Sequence, residues 1–272
     1  MKVNLSGVSE TALLTLSARA REARRADSVI DDPMAVALID SIDYDFAKFR
    51  HMRPGSAQGI ALRAVAFDAA VKSYLDQHPS ATVVALAEGL QTSFWRLDGT
   101  DGQFRWLTVD LPPMIEIRNR LLPVEPRVSV CAQSALDYSW MDAVDDSAGV
   151  SITAEGLLMY LQPEQALELI TQCAKRFPGG QMAFDLPPVW FSKISQYRGL
   201  RPTPRYKVPP MPFSLSSAQA TDLARTVPGI RRVQNMPMPS GRGLALNVAV
   251  SIVYRAPFFD ALRPSMTLLE FG

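Results

Sequence analysis

The residues best suited to chemistry lie in one stretch, Thr82 to Asp110. Val83, Val84, Ala85, Leu86 and Ala87 make a short continuous apolar run, the pattern of a strand buried on both faces of a parallel sheet. Glu88 and Gly89 end it. A second apolar run, Phe104 to Val109, stops on Asp110, twenty-one residues after Gly89. A turn with little side-chain bulk lets backbone N–H groups approach a ligand at the carboxyl edge of a sheet, and an acid about twenty residues on accepts ribose hydroxyls. The spacing therefore predicts a nucleotide-type cofactor site. With Ala87 and Glu88 before the single glycine, the G-x-G-x-x-G pattern that holds a pyrophosphate is missing. That argues against NAD or FAD and for a ligand with ribose but no phosphate, of which S-adenosylmethionine is the common one.

Other chemistries are poorly provided for. His51 and His78 are the only histidines and no G-x-S-x-G elbow occurs, which removes most metal sites and most serine or cysteine nucleophile systems. Cys131 falls in a predicted strand and Cys173 in a predicted helix, with no zinc-type spacing and too few thiols for a disulfide framework. No metal is expected. The net charge of +1, from 28 basic and 27 acidic residues, leaves no overall footprint for nucleic acid. No apolar run approaches the roughly eighteen residues of a membrane span. The expected partner is a small molecule, with a homodimer left open. The start, MKVNLSGVSETALL, lacks a long apolar core and a small-residue cleavage site, so a cytoplasmic location is the expectation.

The elements that position Gly89 and Asp110 can be read in order. Ser9 to Asp27 reads as a helix with Ser9 as N-cap, its Arg19, Arg21, Arg24 and Arg25 forming a solvated face. Asp32 and Pro33 open a second helix to Ile39, and a looser stretch runs to Gly59. A longer helix is predicted from Ile60 to Gln77, with Arg63 near its start, either on the surface or reaching the sheet's edge. After Asp110 come a helix from Leu111 to Leu122, a strand from Arg127 to Ala132 with the turn Gln133 to Asp137 beyond it, and a strand from Val150 to Ala154. Its exit carries Glu155 and the apolar loop Leu157 to Leu161. A helix from Pro163, stopped by Pro178-Gly179-Gly180, leads to a strand from Gln181 to Leu186. Pro187 to Pro212 holds seven prolines with Trp190, Phe191, Tyr197 and Tyr206, which reads as an irregular lid or a wrapping loop. A helix from Ser217 to Thr226 follows. Two last strands, Arg231 to Met236 and Leu244 to Tyr254, are joined by MPMPSGRG and must pair antiparallel.

Five parallel strands plus an antiparallel terminal hairpin describe an α/β, Rossmann-like seven-stranded sheet. The segments ARAREARRADSVIDDP, ALRAVAFD, VVALAEGLQTSFWRL, VDLPPMIEIRNRLLP, SALDYSW and ITAEGLLMYL, spanning Ala18 to Leu161, resemble the leucine carboxyl methyltransferase family, in its bacterial branch of polyketide-type O-methyltransferases. The resemblance implies a class I methyltransferase fold, with an N-terminal helical cap over 1–59 and an S-adenosylmethionine-dependent domain over 60–272 that carries a lid at 187–213. It also implies a cofactor set. Arg63 looks like the arginine that holds the methionine carboxylate, and Ala87, Glu88 and Gly89 like the turn beneath the cofactor. Asp110 with Leu111 matches the ribose acid, Ser134, Ala135 and Leu136 the segment beside the adenine, and Glu155 the acid after the fourth strand. Arg19 or Arg21 is the candidate for a second basic residue near the carboxylate.

The implied reaction is methyl transfer to a carboxylate or hydroxyl of a small aromatic or polyketide-like acceptor. Tyr160 would orient the acceptor oxygen and Glu155 would serve as base for a phenol. The pocket is expected from Leu157 to Leu161 with Trp190, Phe191, Met211 and Phe213. Departures from the family pattern are Ala87 for a glycine, Gln91 and Ser93 within D-T-R, and Ala135 for aspartate. A non-catalytic binding protein on a decayed methyltransferase fold and a nicotinamide oxidoreductase are the alternatives.

Overall fold

A computed structural model describes all residues except 4, 51–53, 99–102, 198, 200, 202, 204 and 244–256. Seven strands form one sheet: β1 (Thr82–Leu86), β2 (Arg105–Asp110), β3 (Val128–Ala132), β4 (Val150–Ala154), β5 (Gln181–Leu186), β6 (Ile230–Asn235) and β7 (Ser265–Phe271). Their order is β3-β2-β1-β4-β5-β7-β6. β1 to β5 are parallel, and β7 runs antiparallel to both β5 and β6. The chain reverses direction across the sheet beside β1, so the carboxyl ends of β1 and β4 open a crevice there, where ligands bind in doubly wound sheets.

Alternate residues of the central strands feed different cores, as the period of two requires. Val84, Leu86, Leu107 and Val109 join the large cluster, while Val83, Ala85 and Trp106 pack with Val71, Phe94 and Phe104 on the other face. The helices are α1 (Thr11–Ala23), α2 (Pro33–Ser41), α3 (Pro54–Leu75), α4 (Ser93–Leu97), α5 (Pro112–Leu121), α6 (Pro163–Arg176), α7 (Val189–Tyr197), α8 (Ser217–Thr221) and α9 (Leu223–Thr226).

The structure corrects several expectations. Ser9 does not cap α1, which starts at Thr11 after a turn and has no side-chain cap. The helix expected from Ile60 begins at Pro54, a residue suited to a first turn, and so crosses the boundary drawn at residue 59. The lid is not irregular throughout: between Pro188 and the later prolines, nine residues form α7. The strand expected at 244–254 lies outside the described residues. The antiparallel partner of β6 is instead β7, reached through a long connection, and it also closes the edge of β5. Arg19 is no surface residue. It is fully buried, with Nε 3.0 Å from Asp32 Oδ2 and Nη2 donating to Leu90 O at 2.6 Å. Asp32 Oδ1 in turn accepts from Ala35 N at 2.9 Å and caps α2.

Candidate functional site

A cavity of about 730 Å³ opens at the carboxyl edge of β1, β2 and β4, within the roughly 300–1,000 Å³ of small-molecule sites. Its floor is the turn after β1. Ala87 has φ +49° and Gly89 φ +58°, so the chain enters the left-handed region twice in three residues. That conformation turns the chain beneath the cavity, and at Gly89 it comes close to α1: a Cβ there would lie 3.0 Å from Ala12 Cβ. A glycine is therefore favoured at 89. Ala87 tolerates a conformation that ordinarily favours glycine, at a cost of roughly 1 kcal/mol or more.

Asp110, the last residue of β2, is bound to the turn it faces. Its Oδ2 accepts from Gly89 N and its Oδ1 from Leu111 N, each at 2.7 Å. Burial pushes its carboxyl above the usual range, against the pull of those two N–H groups and of Arg118. Leu111 stands exposed on the rim. The carboxylate of Glu88 is taken up by its neighbours. Its Oε2 lies 2.9 Å from Arg118 Nη2 and accepts from Thr108 Oγ1 at 2.5 Å, and Arg118 Nη1 donates to Gly89 O at 2.7 Å and Gln91 O at 3.1 Å. The carboxylate of Glu88 thus anchors a buried arginine that clamps the turn.

At the far end of the floor, Arg63 from α3 meets acids from two strands. Its Nε and Nη2 lie 3.1 and 3.0 Å from Glu155 Oε1, and its Nη1 lies 3.0 Å from Asp185 Oδ2. Gln91 Nε2 also donates to Glu155, at 2.6 Å. Burial opposes the charge of Arg63, yet Asp185 and Glu155 hold its proton above the ordinary arginine value. For Glu155 burial is the main effect and raises the carboxyl, with Arg63 pulling it down and Asp185 pushing it up.

Ser134, Ala135 and Leu136 form a wall beyond β3, kept in shape by Leu136 N donating to Ser134 Oγ at 3.2 Å and by Trp140 Nε1 donating to Ala135 O at 3.1 Å. Tyr160 lines the cavity, and burial raises its phenol to about 12.

The structure brings Arg63, Ala87, Glu88, Gly89, Asp110, Leu111, Ser134, Ala135, Leu136, Glu155 and Tyr160 together around this one cavity. Of the expected acceptor side chains, Phe191 and Met211 line it. Trp190 and Phe213 do not: Trp190 is 44% exposed with Nε1 on Leu262 O, and Phe213 is buried in the core. Of the two arginines left open, Arg19 sits beneath the site while Arg21 is exposed. Sequence reasoning missed Asp185, Tyr206, Met266 and the α1 face bearing Thr11 and Ala12. Only Asp185 carried a readable signal, an acid one residue before the end of an apolar strand at the ligand edge.

The sheet order with its antiparallel β7, and the cavity at the ends of β1, β2 and β4, define a class I methyltransferase fold. A protein of Thermobifida fusca assigned as a methyltransferase superposes with a TM-score of 0.61 over 96% of this chain and 94% of that one, at 13% identity. Human N-acetylserotonin methyltransferase, solved with its S-adenosylmethionine, gives 0.51 over 96% and 66%, at 10% identity. The chain belongs to the leucine carboxyl methyltransferase family, which residues 12–174 match. It is 31% identical over 229 residues, 84% of this chain and 82% of the relative, to the tetracenomycin polyketide synthesis O-methyltransferase TcmP of Streptomyces glaucescens.

Proposed function

We propose that this chain is an S-adenosylmethionine-dependent O-methyltransferase for a small aromatic or polyketide-like acceptor. The observation that carries the reading is Asp110, tied to the Gly89 turn and facing the same cavity as Arg63. These groups fit the cofactor: Asp110 has the chemistry to accept ribose hydroxyls, Leu111 and Ala135 offer apolar cover for a flat ring, and Arg63 is a cation for a carboxylate. When bound, the sulfonium supplies an activated methyl group. The family places the chain away from the nicotinamide oxidoreductases, and the name of the Streptomyces relative supports an oxygen acceptor of polyketide type.

The protein's own contribution is then position and exclusion of water. Holding two reacting centres in line supplies roughly 7–11 kcal/mol of a barrier. The walls that share the cavity with Tyr160 include Leu157, Met159, Phe191, Val208 and Met211, an apolar set suited to an aromatic body. Tyr160 stays protonated until pH nears its raised value of about 12, so at neutral pH it donates a hydrogen bond to the acceptor oxygen and is no base. Glu155 is engaged by Arg63 and Gln91. Both facts favour an oxygen that arrives ionised. A carboxylate, with an ordinary pKa of about 4, meets that need at neutral pH without a base.

Calorimetric titration with S-adenosylhomocysteine, beside Asp110→Ala, tests the cofactor half. Micromolar binding that the variant loses is expected, and no binding to wild type would favour the decayed-fold alternative. Methyl transfer to a panel of aromatic acids and the matching phenols, read by mass, tests the acceptor half. Turnover of phenols alone would overturn the carboxylate preference.

A further inference from the structure

The charges of this chain are unevenly placed. From Leu186 to Thr221 the sequence holds Lys193, Arg198, Arg201, Arg205 and Lys207 and no Asp or Glu, which leaves 23 of the 28 basic residues against all 27 acids for the remainder. The segment after β5 thus carries +5 and the rest of the chain −4. A split of that kind bears on partners rather than on fold.

The structure sorts the segment into an inner and an outer side. In α7, Phe191 lines the cavity, while Ser192 Oγ donates to Met211 O at 2.6 Å and Ser195 Oγ accepts from Met211 N at 2.9 Å. These bonds tie α7 to the stretch that follows. There Tyr206 and Val208 are buried on the cavity wall, and the alternate residues Arg205 and Lys207 are exposed. The Lys207 stem lies against Gly199, where an added side chain would strike it, so this ammonium stands close to the end of α7. On α7 itself Trp190, Lys193, Ile194 and Tyr197 are all exposed, at the spacing i, i+3, i+4, i+7 that puts them on one face. Trp190 is 44%, Ile194 39% and Tyr197 87% exposed. Leu262, also exposed, extends this strip, and its carbonyl accepts from the Trp190 indole N–H at 3.3 Å.

Single apolar side chains are common on a protein surface, but a stripe of three large ones along one helix face, set among bases, marks a docking site. We propose that this outer face of the cavity wall binds an acidic protein surface, with Trp190 and Ile194 as apolar anchors and Arg205 and Lys207 as counter-charges. The sign of the face selects the partner. A two-fold dimer of this chain through the same face would set the basic segment against its own copy, and like charges across an interface are costly. The indole selects a protein over a lipid surface. A tryptophan at a membrane interface keeps its N–H towards water and headgroups, whereas that of Trp190 is already taken by Leu262 O and leaves the ring alone for contact. Aromatic rings beside arginine are also the composition of protein interface hot spots. The partner so placed stands behind Phe191, Tyr206 and Val208, the part of the cavity assigned above to the acceptor. Its docking does not depend on the methyl-transfer reading.

The test uses the full chain and two labelled peptides, followed by fluorescence anisotropy. One is an amphipathic helix with Glu and Asp along one face and Leu and Phe along the other; its twin carries Gln and Asn in place of the acids. The acidic peptide is expected to bind about tenfold or more tightly than the twin, with an advantage that shrinks as salt screens the exposed charges. Arg205→Glu combined with Lys207→Glu should remove that advantage, and Trp190→Ala should weaken the acidic peptide about tenfold. The substituted side chains are exposed, so unfolding temperatures near that of wild type separate a lost contact from a lost fold. Equal binding of the two peptides, or binding of neither, would overturn the proposal. A loss in the charge variant with none in Trp190→Ala would reduce the face to diffuse charge and overturn it as well. Tighter capture by phosphatidylglycerol vesicles than by the acidic peptide would assign the face to a lipid surface, and a dimer in light scattering that Trp190→Ala dissolves would assign it to a second copy. Either result overturns the acidic-protein assignment.

Discussion

Ala87 is the one non-glycine residue with a positive φ among the described residues, at +49°. A side chain in the left-handed region costs roughly 1–3 kcal/mol, part of which Ala recovers over Gly by restricting the unfolded chain. Ala87→Gly is therefore expected to stabilise the protein by about 1 kcal/mol and to leave S-adenosylhomocysteine binding intact; a lower unfolding temperature would show that the turn is unstrained. Arg118 presents the opposite case. It is paired with Glu88 at 3% exposure on each side. Arg118→Met leaves that carboxylate buried without its cation, so a loss of about 3–5 kcal/mol is expected in denaturant unfolding, and a loss under about 1 kcal/mol would mean the pair is dispensable. Gly89 and Asp110 were legible because twenty-one residues separate a small turn residue from an acid, both at strand ends. Asp185 carried only the weaker signal of an acid near the end of an apolar strand, and its pairing with Arg63, 122 residues away, was not legible because no local pattern links the two.

At the scale of elements, β1 to β5 were legible because each is a short apolar run between turn or helix signals. β7 escaped because an eleven-residue hydrophobic stretch at 244–254 outweighs the seven residues of Ser265–Phe271, and only the register against β5 singles the latter out. α7 escaped because prolines dominate the segment's composition while sparing the nine positions that form the helix. The larger surprise is α1. Its Thr11, Ala12, Leu14 and Thr15 line the cavity, and Ala12 packs on Gly89, so the N-terminal cap is one wall of the site. A ligand that fills that cavity reaches this face of α1. Saturating S-adenosylhomocysteine is accordingly expected to slow amide hydrogen exchange across Thr11–Ala23, alongside the turn after β1. Protection confined to the turn, with α1 exchanging at its free rate, would show that the cap leaves the ligand uncovered.

Across the whole molecule, the cap, the sheet edge and the segment after β5 meet at one cavity, so ligand binding and folding stability are linked. A ligand at about 100 times its dissociation constant adds about 2.7 kcal/mol, which for a chain of this size raises the unfolding temperature by roughly 5–10 °C. The pH dependence of that shift follows from the two displaced carboxyls. Burial holds both Asp110 and Glu155 above their ordinary values. In the empty protein the native state therefore binds these protons more tightly than the unfolded chain. That contribution to stability is present below about pH 4 and is lost as pH rises through the native values. Ligand binding has the opposite sign, because ribose hydroxyls call for an ionised Asp110 and an ionised Glu155 holds Arg63 in place. Protonating Glu155 or Asp110 on the way down removes an acceptor from the site, and since both groups are displaced upward, the loss begins above the pH of an ordinary carboxylate. Tyr160, raised to about 12, adds no titration on the alkaline side below about pH 10. The shift produced by a fixed excess of S-adenosylhomocysteine is thus expected to be flat from pH 7 to 9 and to shrink progressively towards pH 5. A shift that holds its full size to pH 5 would mean that neither acid must be ionised for binding, and one that grows on acidification would reverse the sign of the coupling.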